Sequence, residues 1–157
     1  MQLSSLGKEL LKQLEGVRLL PYDDRTGKTI TKWCPQATIG IGYLIPQKEF
    51  DDMVKGITLE EAYHLLEMRM RPVEKAVQTA LPGFIAQNKF DALCLLAYNI
   101  GLTAFRQSSV LKILLGKPAN YPTLEKAWLA FCMDEGKVSA SLLARRKKEY
   151  LLYSEEK

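Results

Sequence analysis

Residues 88–101 read NKFDALCLLAYNIG, a mostly apolar run closed by Gly101. An almost uniformly apolar helix offers water no face, so it belongs in a core with other elements packed around it. A glycine just past its end is a natural stop. At 157 residues the chain has room for one such core, as a single domain or as a small and a larger lobe sharing it. The rest of the sequence has to supply the wrapping.

Helical wrapping is visible on both sides. Leu6, Leu10, Leu11 and Leu14 recur at helical spacing, and Gly16 follows, which puts Glu15 at the end of a first helix. TLEE at 58–61 is a capping-box signature, and Leu59, Ala62, Leu65, Leu66, Met70, Val73 and Val77 continue it helically. Pro72 predicts a kink or break near Arg71. Short helices are expected at about 108–115 and 123–133, and a final one from Ser139 carries ARRKKEY. Between Leu19 and Ile45 the texture changes. Pro21, Gly27, Pro35, Gly40 and Gly42 break helices, while TIT and TIGIGYLI favour extended chain, so a small, irregular sheet is expected there. The plan is an α+β fold, mostly helical: one helix, a small β-lobe, then a helical bundle.

Bulk properties exclude several function classes. Apolar residues make up 47% and charged residues 25%, as in ordinary soluble proteins. Net charge is +4, which favours polyanionic surroundings without choosing among them. Cys34, Cys94 and Cys132 lie far apart with no CxxC pair, so they read as free thiols. His64 has no second histidine or nearby cysteine to complete a metal site. No metal and no cofactor are expected. The N-terminal stretch MQLSSLGKELLKQLEG lacks the features of a signal peptide, and no run approaches the roughly 18 apolar residues of a membrane span. These features predict a soluble protein made in the cytoplasm, with no stable membrane insertion. In ARRKKEY, Arg145, Arg146, Lys147 and Lys148 adjoin Leu142, Leu143, Leu151 and Leu152, which reads as an amphipathic helix with a solvated basic face. Without an aromatic platform, zinc knuckle or recognition helix, no nucleic-acid partner is expected.

Two stretches could carry chemistry. EGVRLLPYDD, residues 15–24, brackets a bend with Glu15 and Asp24. Glycoside hydrolysis needs one carboxyl that stays protonated and another that stays ionised. At a helix C-terminus the macrodipole disfavours the charged form of Glu15, whereas Asp24 lies among Asp23, Arg25 and Thr26 in a polar loop. The plainer alternative is that Glu15 pairs with Arg18 and Asp23-Asp24 merely makes a turn. TIGIGY, residues 38–43, has two glycines in extended chain, implying a bend or a close backbone approach. Without a third glycine and a following helix it is weak as a phosphate cradle.

Taken in order, EGVRLLPYDD, TIGIGYLI, FDALCLLAYNIGLTAFRQSSVLK and LLARRKKEYLL resemble the successive motifs of the phage-type lysozymes, glycoside hydrolase family 24, over residues 6–153. The resemblance implies one lysozyme-like domain over 1–157, with a β-lobe at about 17–56 and a helical lobe at 1–16 and 57–157 flanking a saccharide groove. It assigns Glu15 as catalytic acid, Asp24 as second carboxylate and Thr38 as the triad threonine. Leu44, Tyr98, Asn99 and Ser108 match groove-lining positions. The implied activity is a peptidoglycan muramidase, inverting in mechanism, acting as a monomer on glycan strands in the periplasm. Export would fall to a holin or a secretion system. An inactive peptidoglycan-binding scaffold and a lytic transglycosylase are the alternatives.

Two departures from the family pattern stand out. Asp24 and Thr38 are fourteen positions apart, longer than the family's spacing, and KTITKWCP reads as an insertion. Thr38, Thr29 and Thr31 are therefore all candidates for the triad. Thr38 is preferred because it leads into IGIGY, while an insertion is usually accommodated on the surface. In addition, the family's histidine after the second glycine, paired with an aspartate on the inter-lobe helix, is replaced by Tyr43 and Arg69. These two are expected to face each other still.

Overall fold

The computed structural model describes residues 1–156 and divides into two compact units. One spans residues 8–69; the other joins residues 1–7 to residues 70 onward. Along the chain, α1 (Ser5–Glu15) and α3 (Leu59–Ala80) each begin in one unit and end in the other.

The 8–69 unit holds a three-stranded antiparallel sheet in the order β1 (Arg18–Asp23), β2 (Ala37–Gly40), β3 (Tyr43–Leu44). A 3-10 turn at Gln47–Glu49 leads into the short α2 (Phe50–Met53). So small a sheet needs extra apolar cover. Ala37, Ile39, Ile45 and Phe50 form its buried centre, and Ile30, Trp33 and Cys34 pack against them. The Trp33 indole donates to the Ile45 carbonyl at 2.9 Å. The KTITKWCP segment thus differs from a purely superficial insertion. Thr29, Thr31 and Lys32 face solvent as expected, but the apolar residues between and after them complete the core.

The two glycines of TIGIGY serve both purposes that glycine in a strand implies. Gly40 and Gly42 take φ of 65° and 69° in the β2–β3 turn, a region open to glycine at little cost. A Cβ on Gly40 would lie 3.4 Å from that of Ala62, so the strand end lies flat against α3. The capping box of α3 closes as read: Glu61 N–H donates to Thr58 Oγ1 at 3.1 Å, and Thr58 N–H to Glu61 Oε2 at 2.6 Å. The helix runs unbroken through Pro72, so the chain does not break near Arg71. Arg71 and Pro72 lie on its solvent side, where a carbonyl deprived of its donor can be hydrated.

In the other unit α4 (Gln87–Ile100) is buried from Phe90 through Ala97, as its composition demands. α8 (Ala140–Ser154) and α5 (Leu102–Gln107) pack on it, and α6 (Ser109–Leu114) and α7 (Leu124–Leu129) bridge between those two. Inside α4 the buried Asp91 accepts from the Ser4 amide at 3.0 Å and from the Ser4 hydroxyl, while Ser4 Oγ accepts from the Gly7 amide. The start of α1 is thereby capped and fixed, and Leu3 and Gly7 are buried while Leu6 is left in solvent. Asn88 Nδ2 donates to the carbonyls of Leu152 and Glu155, satisfying the end of α8.

Two expectations for this unit need correction, and one helix lies outside the sequence reading. That helix, α5, begins immediately after Gly101. The helix expected to reach residue 133 stops at Leu129, and a hairpin follows, β4 (Met133–Asp134) with β5 (Lys137–Val138). Its turn has Glu135 and Gly136 at φ 47° and 78°, the pair of positive angles a tight hairpin requires. Finally, the basic run of α8 is only half solvated. Lys147 and Lys148 are exposed, but Arg145 and Arg146 are buried against Glu149, at 3.0 and 2.8 Å. Glu149 also accepts from Trp128 Nε1 at 3.2 Å. A carboxylate three and four residues on turned two of the four cations inward.

Candidate active site

Glu15 ends α1, as read. Gly16 follows at φ 73° and donates to the Lys12 carbonyl at 2.8 Å, which stops the helix and leaves the Glu15 side chain half-exposed at its C-terminus. Against it lies Gly42. A Cβ there would come within 3.0 Å of Glu15 Oε2 and 3.3 Å of its Cδ, so the bare backbone of the β2–β3 turn forms one wall of the carboxyl's site.

Asp24 follows β1 in a loop whose turn is made by its neighbour. Asp23 accepts from Arg25 N–H through Oδ1, and from Thr26 and Gly27 N–H through its carbonyl. Asp24 is exposed; its amide donates to the Gln36 carbonyl at 3.1 Å. The Thr38 hydroxyl donates to that same carbonyl at 3.0 Å. Gln36 thus ties the second carboxylate to the preferred threonine, a link that nothing in the spacing of these residues announces.

Strand register places further residues beside them. Tyr22 pairs with Thr38, and Thr38 with Leu44, so three side chains form a row across the sheet. Thr38 is buried and Leu44 half-exposed. Burial pushes the Tyr22 phenol pKa up; the charge of Asp24 pushes the same way, Arg18 opposes, and Glu15 adds to the rise. Both candidate carboxylates are therefore felt by one phenol. Arg18 contributes more than the plainer reading allowed. Its guanidinium donates to the Gly27 carbonyl at 2.6 Å and to Thr29 Oγ1 at 3.3 Å, and lies 4.2 Å from the Tyr22 ring centroid. It clamps the Asp24 loop. Thr29 is occupied with that clamp, and Thr31 is exposed on the far side of it in the chain.

Tyr43 and Arg69 do meet: the guanidinium carbon is 5.9 Å from the ring centroid, within cation–π reach. The Tyr43 hydroxyl donates to Glu49 Oε2 at 2.6 Å, a partner the sequence reading missed. Arg69 Nη1 also donates to the Gly42 carbonyl at 3.1 Å.

Tyr98, Asn99 and Ser108 belong to the helical unit. Asn99 is exposed and its Oδ1 accepts from Arg146 at 2.7 Å. With Ile100, Ala130, Phe131, Met133, Leu142 and Arg146 it lines a hollow of about 330 Å³. Ser108 is buried and caps α6: its hydroxyl donates to the Phe105 carbonyl at 2.7 Å and accepts from Leu111 N–H at 3.0 Å. It lines a second hollow of about 250 Å³, which shares Ala130 and Phe131 with the first.

The description of the phage lysozyme family matches residues 12–149, nearly the whole chain. The chain belongs to the phage lysozyme family. Among relatives of this lysozyme, the endolysin of Salmonella phage P22 is 36% identical over 155 residues, 98% of each chain. The crystal structure of a P22 lysozyme mutant superposes with a TM-score of 0.74 at 32% identity, covering 99% of both chains. The endolysin of Escherichia coli O157:H7 phage FAHEc1 gives a TM-score of 0.78 at 31% identity, covering 99% of this chain and 94% of its own. The lysozyme-like α+β fold, mostly helical with small antiparallel sheets, is thereby shown as well. Among the described residues, no helix of this lysozyme is long and apolar enough to cross a membrane. No group of three or more His, Cys, Asp or Glu side chains among them could hold a metal ion.

Proposed function

We propose that this phage lysozyme cleaves the β-1,4 bond from N-acetylmuramic acid to N-acetylglucosamine with Glu15 as general acid, Asp24 as the ionised partner and Thr38 as water-positioning hydroxyl. Family membership makes it a peptidoglycan-lysing glycoside hydrolase. One observation carries the residue assignment. The Gln36 carbonyl takes both the Asp24 amide and the Thr38 hydroxyl, and Glu15 lies against Gly42 in the turn that follows the Thr38 strand. Protonation of the leaving oxygen by Glu15, with a water held on the opposite face of the sugar by Asp24 and Thr38, would invert the anomeric centre. Leu44, Tyr98 and Asn99 would contact the glycan, and Ser108 would support that surface through its cap on α6. Over the whole chain the reading is one lysozyme-like domain, acting as a monomer on the wall. It takes no metal, cofactor or nucleic acid, and it is carried past the inner membrane by a holin or a secretion system.

Digestion of purified peptidoglycan tests this directly. Reducing N-acetylmuramic ends are expected, and proton NMR of the fresh product should show the inverted anomer. Anhydro ends would identify a transglycosylase. Binding without cleavage would identify a scaffold.

A further inference from the structure

Gly42 forms a wall of the Glu15 site but has no side chain by which to be held. It sits at φ 69° in a turn whose other end, Gly40, is equally bare. Its backbone carbonyl is its handle, and Arg69 of α3 takes it, Nη1 to O, at 3.1 Å. The guanidinium is in turn seated over the Tyr43 ring at 5.9 Å, and the Tyr43 hydroxyl is tied to Glu49 at 2.6 Å. A chain of contacts therefore runs from the 3-10 turn, through β3 and α3, to the peptide against which the Glu15 carboxyl rests.

We propose that Arg69 is a positioning residue for Glu15, acting through the Gly42 carbonyl, with Tyr43 and Glu49 bracing the guanidinium. The inference rests on Glu15 being the general acid. Arg69 does not touch the reacting atoms in this scheme. It fixes the depth of the wall behind the carboxyl, and so the direction in which the acidic proton is presented. Misplacing a reacting group by about 1 Å can cost up to about a hundredfold in rate. An exposed arginine contributes little to stability. Its loss should therefore register in turnover rather than in melting.

The experiment compares Arg69→Met, which keeps the apolar stem and removes the donor, with Arg69→Lys, whose ammonium donor reaches nearly as far as Nη1. Kinetics are measured on soluble glycan oligomers prepared from peptidoglycan, with kcat and KM determined separately. Arg69→Met should lower kcat roughly tenfold, with KM within about twofold of the parent and an unchanged circular dichroism spectrum. Arg69→Lys should recover most of the loss. Should Arg69→Met fail to fold, Arg69→Ala takes its place as the variant without a donor. Unchanged kcat in the donor-free variant overturns the proposal, as does a loss confined to KM or a failure of lysine to rescue. The parent chain and Glu15→Gln run alongside. If the parent releases reducing muramic ends and Glu15→Gln does not, the hydrolase reading stands and a null result at Arg69 sinks only the positioning role. An inert parent chain overturns both.

Discussion

Glu15 and Thr38 differ in what holds them, and their variants should differ accordingly. Glu15→Gln keeps the size and the contact with Gly42 but removes the acidic proton. It should lower turnover by roughly 10²–10⁴-fold with little change in melting temperature, since general acid catalysis contributes about that much. At Thr38 the expected effect is smaller. Thr38→Ala removes one hydroxyl whose fixed partner is the Gln36 carbonyl, and that carbonyl keeps the Asp24 amide. A loss of roughly 2- to 10-fold in kcat corresponds to one hydrogen bond, and Thr38→Ser should restore it. Thr29→Ala, measured in the same wall-lysis assay, should stay near the parent rate because its hydroxyl serves Arg18 at the surface. The sequence could propose the carboxylates of Glu15 and Asp24 because acid chemistry leaves few residue types to choose from and the motif order points to this pair. It could not propose Gln36 and Glu49. A backbone carbonyl carries no residue signature, and the tyrosine–glutamate bond depends on a 3-10 turn that no periodicity announces.

At the scale of the element, the β2–β3 turn couples fold to site. Gly42→Ala meets two obstacles: a φ that costs an L-residue about 1–2 kcal/mol, and a Cβ placed 3.0 Å from the Glu15 carboxylate. Chemical denaturation should show Gly42→Ala destabilised by more in the parent than in a Glu15→Ala background, because only the first obstacle survives there. Equal losses in both backgrounds would mean that Gly42 and Glu15 are not in contact in solution. The glycines were visible in the sequence as a bend or a close approach, and the turn turned out to need both. The helices α1, α3, α4 and α8 were legible from apolar spacing and caps. The short pieces were not. α5 follows a glycine that reads as a stop, and Glu135-Gly136 lies just past the residues read as a helix, where no pattern announces a hairpin. Arg145 and Arg146 show a further limit of pattern reading, since a run of four cations looks solvated until Glu149 is placed beside two of them.

For the molecule as a whole, the contacts of Tyr43 with Arg69 and Glu49 place their pH dependence outside the physiological range. Burial, and then the hydrogen bond to Glu49, raise the Tyr43 pKa from 10.0 to about 12. A group whose pKa is raised by folding contributes in full below its unfolded value and loses that contribution as pH climbs through the folded one. Thermal melts should therefore show no contribution from this contact changing between about pH 5 and 8, where histidine would titrate. Between pH 10.0 and about 12 the contribution should disappear. Tyr22 and Tyr153, whose pKa values burial also raises, share that alkaline limb. Tyr43→Phe should flatten part of it, and a profile identical to the parent's would count against the Glu49 bond. The overall fold was legible earlier than any detail, because an apolar α4 demands a helical wrapping and the ordered motifs supply it.

The placement of the two tryptophans has an optical consequence. Trp33 is packed in the unit of residues 8–69, and Trp128 is fully buried in the other. Each unit thus contains its own fluorophore. Trp33→Phe and Trp128→Phe would isolate them, giving two emission signals from one denaturation series. The Trp33 signal is expected to shift at lower denaturant, because its unit has the smaller core and a small core is the first to open. Superimposable curves would instead mark a single cooperative transition.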